Sequence, residues 1–210
     1  VDDGVHVKVN KHIPAGGGLG GGSSDASSFI QSMDILFGTH LDQSSLNEIS
    51  AQVGSDVFFF TRALYSGKSD FTAVCEGRGE KITEIQGRKD FSVLLVFPNV
   101  NVSTKEAYGW IDGIHQSGTS QNPMNGCSLQ SFVEEFNKPV QKWVFRNDFT
   151  SPVSERIQKI NAAILSLKEC GADFVDMSGS GSSVFGIFDE SKKAQKALKI
   201  MAEDWQAALV

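Results

Sequence analysis

The chain's 210 residues, 40% hydrophobic and 21% charged, are enough for one large globular domain or two small ones with real cores. A formal net charge of -6 argues against general binding to nucleic acid or anionic membranes, so an anionic ligand would need local donors. Cys75, Cys127 and Cys170 form no C-x-x-C pair, which suits a reducing cytoplasm and gives no metal site; the longest apolar runs are too short to cross a bilayer, and no basic-then-apolar leader opens the chain.

Residues 5–9 alternate like a strand in mid-fold, which leads us to expect a segment upstream of Val1. The run Pro14-Ala15-Gly16-Gly17-Gly18-Leu19-Gly20-Gly21-Gly22-Ser23-Ser24-Asp25 follows. A loop so stripped of side chains exposes its backbone N–H groups, and with the start of the next helix it makes a cradle for a polyanion, foremost a nucleoside triphosphate. It is not a P-loop, which needs Lys-Ser or Lys-Thr after the last glycine. A dinucleotide fingerprint can be drawn through Gly16, Gly18 and Gly21, but so dense a run nearly guarantees it. The His-Arg-Asp and Asp-Phe-Gly motifs of protein kinases are absent from the sequence. A flexible linker is the remaining alternative, disfavoured by the bracketing proline and the helix-capping Ser-Ser-Asp.

Ala26, Phe29, Ile30, Met33 and Phe37 recur at helical spacing and predict a buried helix stopped by Gly38. A second helix is expected over 45–53. Gly54-Ser55-Asp56 then reads as a helix-to-strand junction before the apolar run 57–60. Strands over 71–75 and 81–85 flank Gly77-Arg78-Gly79 as a hairpin. Residues 91–97 predict the central strand of a second domain, followed by a helix capped at Ser103 and Thr104, with Glu106 in its first turn. The polar stretch 113–126 reads as a surface loop or short irregular helix. A helix over 154–170 presents Ile157, Ile160, Ile164 and Leu167 on one face. Strands 174–177 and 184–188 enclose Ser178-Gly179-Ser180-Gly181-Ser182-Ser183, and a last helix over 191–209 buries Ala194, Leu198, Met201 and Trp205. No internal repeat is evident.

Transfer of a phosphoryl group to an alcohol requires a phosphate cradle, an oriented hydroxyl and often an acceptor for its proton. The glycine loop supplies the first. Ser23 and Ser24 either contact a phosphate or Mg²⁺ or simply cap the helix. Asp56 is the candidate base or orienter, as a carboxylate entering an apolar run, with a turn or cap residue as the alternative. The loop from Ser178 to Ser183 offers further N–H donors to an anionic substrate, or is a plain hairpin turn. Asp25 has no role readable from the residues alone, since a carboxylate repels a triphosphate unless it is otherwise engaged.

In this order the motifs resemble the GHMP small-molecule kinases, and within them the branch that phosphorylates a cytidine-diphosphate-linked methylerythritol in the non-mevalonate isoprenoid pathway. The long glycine run is similar to that branch's, and Gly54-Ser55-Asp56-Val57 to its Gly-Ala-Asp-Val. Glu76-Gly-Arg-Gly-Glu80, Pro98 through Thr104, Asn147-Asp148 and the Gly-Ser loop match further segments in order. The resemblance implies an α+β, two-domain architecture, residues 1–88 forming a nucleotide-binding domain incomplete at its N-terminus and 89–210 the C-terminal domain. It implies ATP and Mg²⁺ as cofactors, Asp56 as the catalytic residue, and Lys11 together with residues Pro14 through Asp25 as the ATP site. Thr104, Tyr108, Ser178, Gly179, Ser180, Gly181 and Ser182 fall at substrate positions, Tyr108 where an aromatic packs on the cytosine.

The family's opening strand, with its catalytic lysine, has no counterpart before Val5. The resemblance therefore implies the family's middle and C-terminal portion, and we expect no activity from this chain alone and self-association at a strand edge beside residues 5–9. A mevalonate- or homoserine-type kinase and a non-catalytic nucleotide-binding remnant stand as alternatives. The partner is a small molecule, not a nucleic acid or membrane, and the chain is a monomer or homodimer.

Overall fold

The computed structural model describes residues 4–116 and 122–210. Helix α1 (Gly21–Phe37) begins after a left-handed Gly20 and ends at a left-handed Gly38, whose N–H donates to the Asp34 carbonyl. Helix α2 (Gln43–Val53) is capped by Asp42, whose carboxylate accepts from Ser45 N–H at 2.8 Å. Helix α3 (Ser55–Ser66) closes the trio. Ile30, Leu46 and Val57 form their shared apolar centre, with Ala26, Leu41, Ile49 and Tyr65 around it. Inside lies a polar seam, in which the Thr61 hydroxyl donates to Ser27 Oγ at 3.0 Å and the Ser27 hydroxyl reaches the Ser23 carbonyl at 2.9 Å.

Strands β1 (Ala73–Glu76) and β2 (Lys81–Glu84) form the expected antiparallel hairpin around Gly77-Arg78-Gly79. The chain then builds a four-stranded antiparallel sheet. Its members are β3 (Ser92–Phe97), β4 (Phe174–Met177), β5 (Val184–Phe188) and β6 (Gln206–Leu209), in the order β4-β5-β3-β6. Helices α4 (Thr104–Gln116), α5 (Leu129–Phe136), α6 (Thr150–Ser154), α7 (Gln158–Glu169) and α8 (Ser191–Asp204) complete this half. Leu94, Val96, Ile160, Leu167, Phe188 and Met201 are wholly enclosed between sheet and helices. Truncating any of them to alanine costs about 2–5 kcal/mol.

The structure corrects several expectations. Residues 5–9 are exposed and form no strand, because no neighbouring strand among the described residues supplies the ladder that an extended segment needs. Residues 57–60 continue α3 rather than a strand: with Val57 and Phe58 buried, their unbroken apolar character fits a helix face as well as a strand. Helix α1 is buried on one side only, and Phe29 and Phe37 are exposed. The helix expected over 154–170 starts at Gln158, after the separate short turn α6. The last helix stops at Asp204, and after Trp205 the four residues Gln206–Leu209 turn extended to pair with β3, Leu95 opposite Ala208. The polar stretch 113–126 is helical to Gln116, lies outside the described residues at 117–121, and makes a turn over 123–126.

Candidate active site

The glycine run and the second Gly-Ser loop, 160 residues apart, are in direct contact. Ser178 donates its hydroxyl to the Gly18 carbonyl at 2.8 Å, and Ser183 N–H donates to the Gly17 carbonyl at 3.1 Å. The contact depends on glycine. Gly18 has φ of 74°, and a Cβ there would lie 2.1 Å from the Ser178 carbonyl oxygen. Gly20, φ 65°, has the edge of the Phe60 ring 2.5 Å from where its Cβ would stand. The apolar run after Asp56 thus seats the loop through one of its rings.

Residues 14–22 line a pocket of about 450 Å³ with Lys11, Ser23, Val53 and Val57. Helix α1 opens into it. Gly20 makes no side-chain capping bond, so the first-turn N–H groups carry no side-chain cap, and around Gly22 the space is open. This is the geometry of an anion site, and the residues fit a polyphosphate. The two serines differ. Ser23 faces the pocket, whereas Ser24 donates its hydroxyl back to the Gly21 carbonyl at 2.9 Å. Asp25 is engaged by the Lys11 ammonium, which answers its apparent conflict with a phosphate. An exposed pair of this kind is weak, so the ammonium remains available to an incoming anion.

The same loop residues, Gly18, Leu19 and Gly20, line a second pocket of about 360 Å³ together with Ser55, Asp56, Phe59, Phe60, Cys75, Gly79 and Ser178. Asp56 sits in the first turn of α3, where the helix dipole favours a carboxylate. This corrects both the junction expected there and the reasoning from burial, because Asp56 is exposed. Cys75 beside it has its thiol pKa raised, first by desolvation and then by the charge of Asp56, so it stays protonated and poorly nucleophilic.

Thr104 stands against the Gly-Ser loop, its Oγ1 3.1 Å from Ser180 Oγ. Tyr108, one turn further along α4, is more than half exposed and meets Phe149 edge-on at 4.9 Å. No hydrogen bond ties it to the glycine loop among the described residues. Gly179, Ser180 and Gly181 complete the turn between β4 and β5, and Ser182 lines a small polar pocket of about 250 Å³ shared with Pro14, Ala15, Asn99 and Asn101. Ser183 lines it too. Its fully buried hydroxyl has no partner among the described residues. Sequence reasoning took Ser183 only as the end of the Gly-Ser loop, with no role for its hydroxyl, and passed over the buried carboxylate Asp176. The second carried a signal: a charge inside the apolar strand Phe174-Val-Asp-Met177.

Two glycine-built loops are thus locked together on an α+β frame. Residues 2–63 match the model of the GHMP kinases N terminal domain and residues 129–207 that of the GHMP kinases C terminal. The chain belongs to the GHMP kinase family. It is 36% identical over 211 residues to a 4-diphosphocytidyl-2-C-methyl-D-erythritol kinase of Treponema pallidum subsp. pallidum, covering 98% of this chain and 69% of that protein. A protein of the same name from Thermodesulfovibrio yellowstonii is 35% identical, over 98% of this chain and 70% of its own length. Among solved structures, a 4-(cytidine 5'-diphospho)-2C-methyl-D-erythritol kinase matches with a TM-score of 0.70 at 23% identity, covering 95% of this chain and 67% of that one. A homoserine kinase from Cytophaga hutchinsonii matches with a TM-score of 0.60 at 14% identity over 95% of this chain and 67% of its own. These structures share the mixed α+β fold, which does not by itself separate one acceptor alcohol from another. No helix among the described residues is long and apolar enough to cross a membrane.

Proposed function

We propose that the chain is an ATP-dependent kinase acting on the erythritol hydroxyl of 4-diphosphocytidyl-2C-methyl-D-erythritol, in isoprenoid precursor synthesis in the cytoplasm. The observation that carries the phosphotransfer reading is the double use of one loop: Gly18, Leu19 and Gly20 line both the anion pocket and the pocket of Asp56. A terminal phosphate held on one side of that loop lies beside an acceptor held on the other. The choice of acceptor is supported by the two bacterial relatives and by the exposed ring of Tyr108.

In this reading residues 1–88 carry the nucleotide and 89–210 carry the second half of the acceptor site. The N–H groups of the loop and of the first turn of α1 hold the phosphates, and Lys11, still paired with Asp25, turns its remaining N–H donors to them. Asp56 orients the acceptor hydroxyl and takes its proton as the new P–O bond forms. Thr104 and residues Ser178 through Ser182 hold the diphosphate of the acceptor, and Tyr108 stacks on its cytosine. Mg²⁺, when bound with the nucleotide, neutralises charge on the transferring group. Among the described residues no group of three or more acidic, His or Cys side chains is placed to hold a metal ion, so the residues present would fit an ion held chiefly by phosphate oxygens, with the Ser23 hydroxyl in the pocket wall as a protein ligand.

The test is transfer of labelled γ-phosphate from ATP with Mg²⁺ to the cytidine-linked alcohol, to mevalonate and to homoserine in parallel, by this chain and by a version extended at its N-terminus. Label in the first alcohol alone, from the extended version and not from the chain by itself, is the expected result. Label in another moves the substrate within the family, and nucleotide binding with no transfer to any of the three by the extended version overturns the kinase reading.

A further inference from the structure

Asp176 sits where a charge is costly. It is 7% exposed, within β4, and a carboxylate taken out of water needs its oxygens satisfied. One oxygen accepts from Asn147 N–H at 2.7 Å; the other accepts from Met177 N–H at 2.8 Å and from the Thr150 hydroxyl. All three donors are neutral. Burial raises the pKa of Asp176 above the usual carboxylate value, and these hydrogen bonds, with the more distant charge of Arg146, offset the rise only in part.

What the carboxylate holds is the residue that holds the loop. With its backbone fixed by Asp176, Asn147 donates its side-chain amide to the Met177 carbonyl at 2.6 Å and to the Gly179 carbonyl at 2.7 Å. Between those two carbonyls lies Ser178, whose hydroxyl binds Gly18. The line from buried carboxylate to glycine loop is continuous. A hydrophobic residue would fill the same volume without the desolvation cost, so packing alone does not account for an aspartate here.

We propose that Asp176 is a positioning residue for both phosphate-binding loops: it sets Asn147, which fixes the start of the Gly-Ser loop, which seats the glycine loop. The functional consequence rests on reading the glycine loop as a nucleotide cradle. The structural consequence does not.

Asp176→Asn keeps the shape but replaces one accepting oxygen with an N–H₂ facing a donor. Calorimetric titration with a non-hydrolysable ATP analogue and Mg²⁺ should show affinity weakened by about tenfold or more, the scale of one hydrogen bond to a charged group. Amide exchange over residues 16–20 and 178–183 should quicken. Asn147→Ala, which leaves the carboxylate its backbone donor, should do the same, and Thr150→Ser, which keeps the hydroxyl, should match the wild type. Ile164→Val, a core trim in α7, controls for stability and should lower the melting temperature without moving either readout. Wild-type affinity and exchange in both Asp176→Asn and Asn147→Ala, or equal weakening in Ile164→Val, would overturn the proposal. Should the wild-type chain bind no nucleotide, the cradle reading fails, and exchange at the two loops decides the positioning role alone. If Asp176→Asn does not fold, Asn147→Ala and Thr150→Ser carry the test.

Discussion

The hydroxyl of Ser178 donates to the carbonyl of Gly18 at 2.8 Å, so the two glycine-built loops are tied to each other. Gly18 is the vulnerable member. Gly18→Ala forces a side chain into the left-handed region and onto the Ser178 carbonyl. The backbone strain alone is worth about 1–3 kcal/mol. Urea denaturation should show at least that loss, with nucleotide affinity falling in the same variant.

Gly22 should behave in the opposite way. It lies within α1 with nothing near the position its Cβ would take, so Gly22→Ala removes a helix-weakening residue and should stabilise the fold by about 0.5–1 kcal/mol. If the open space there is where phosphate sits, the same variant binds ATP more weakly. A more stable protein with weaker nucleotide binding is the expected pair of results from thermal melting and calorimetry. Unchanged affinity would remove Gly22 from the cradle.

Asp56→Asn keeps the side chain's shape and removes its charge. Being exposed, Asp56 anchors no core, and the variant should melt close to the wild type and bind ATP almost normally. Turnover in the phosphotransfer assay should fall roughly 10²-fold or more, the scale of a general base. Lost binding with intact turnover would make Asp56 a structural residue.

Much of this was legible in the sequence wherever the signal was local. β3, β4 and β5 are short, largely apolar runs ended by Pro98, Ser178 and Asp189, the hairpin turns at Gly77 and Gly79, and both glycine loops stand out by composition. What failed depended on distant partners. Residues 57–60 look alike as strand or helix, and only packing against Ile30 and Leu46 selects the helix. The residues after Trp205 are extended because β3, more than a hundred residues earlier, offers them an edge. Nothing in the glycine run itself shows that Ser178 will bind it. Asp56 was singled out for the wrong reason, since it does not lie in an apolar interior but at an exposed helix start facing the loop.

Tyr108 offers a clean separation of fold from recognition. Its ring is more than half exposed and touches Phe149 edge-on, so Tyr108→Ala should barely change the melting temperature. If the ring stacks on cytosine, affinity for the cytidine-linked alcohol falls by about 1–3 kcal/mol and affinity for ATP stays put. Equal loss for both ligands would point to a displaced helix instead.

The acid and alkaline limits of stability should share one node. Asp34, near the end of α1, accepts from the Thr39 hydroxyl at 2.6 Å, from Leu41 N–H at 3.0 Å and from the Tyr65 hydroxyl at 2.8 Å, joining α1 to α3. These bonds, Thr39's first, hold its pKa below the ordinary carboxylate value. A depressed carboxylate contributes stability that is present above its unfolded pKa of about 3.9 and is lost as pH falls through the lower folded value. Tyr65 moves the other way. Burial first, and then the bond to Asp34, push its phenol up to about 12. Its contribution is therefore complete below the unfolded value of about 10 and is lost as pH rises through the folded one. Tyr65→Phe removes the titrating phenol and one of the bonds on Asp34, so the alkaline loss of stability should shrink, leaving the part owed to paired lysines such as Lys89, and the acid loss should shrink without vanishing, because Thr39 and Leu41 remain. Urea midpoints across the acid, neutral and alkaline ranges test this: an alkaline limb unchanged by the substitution would assign it to groups other than Tyr65.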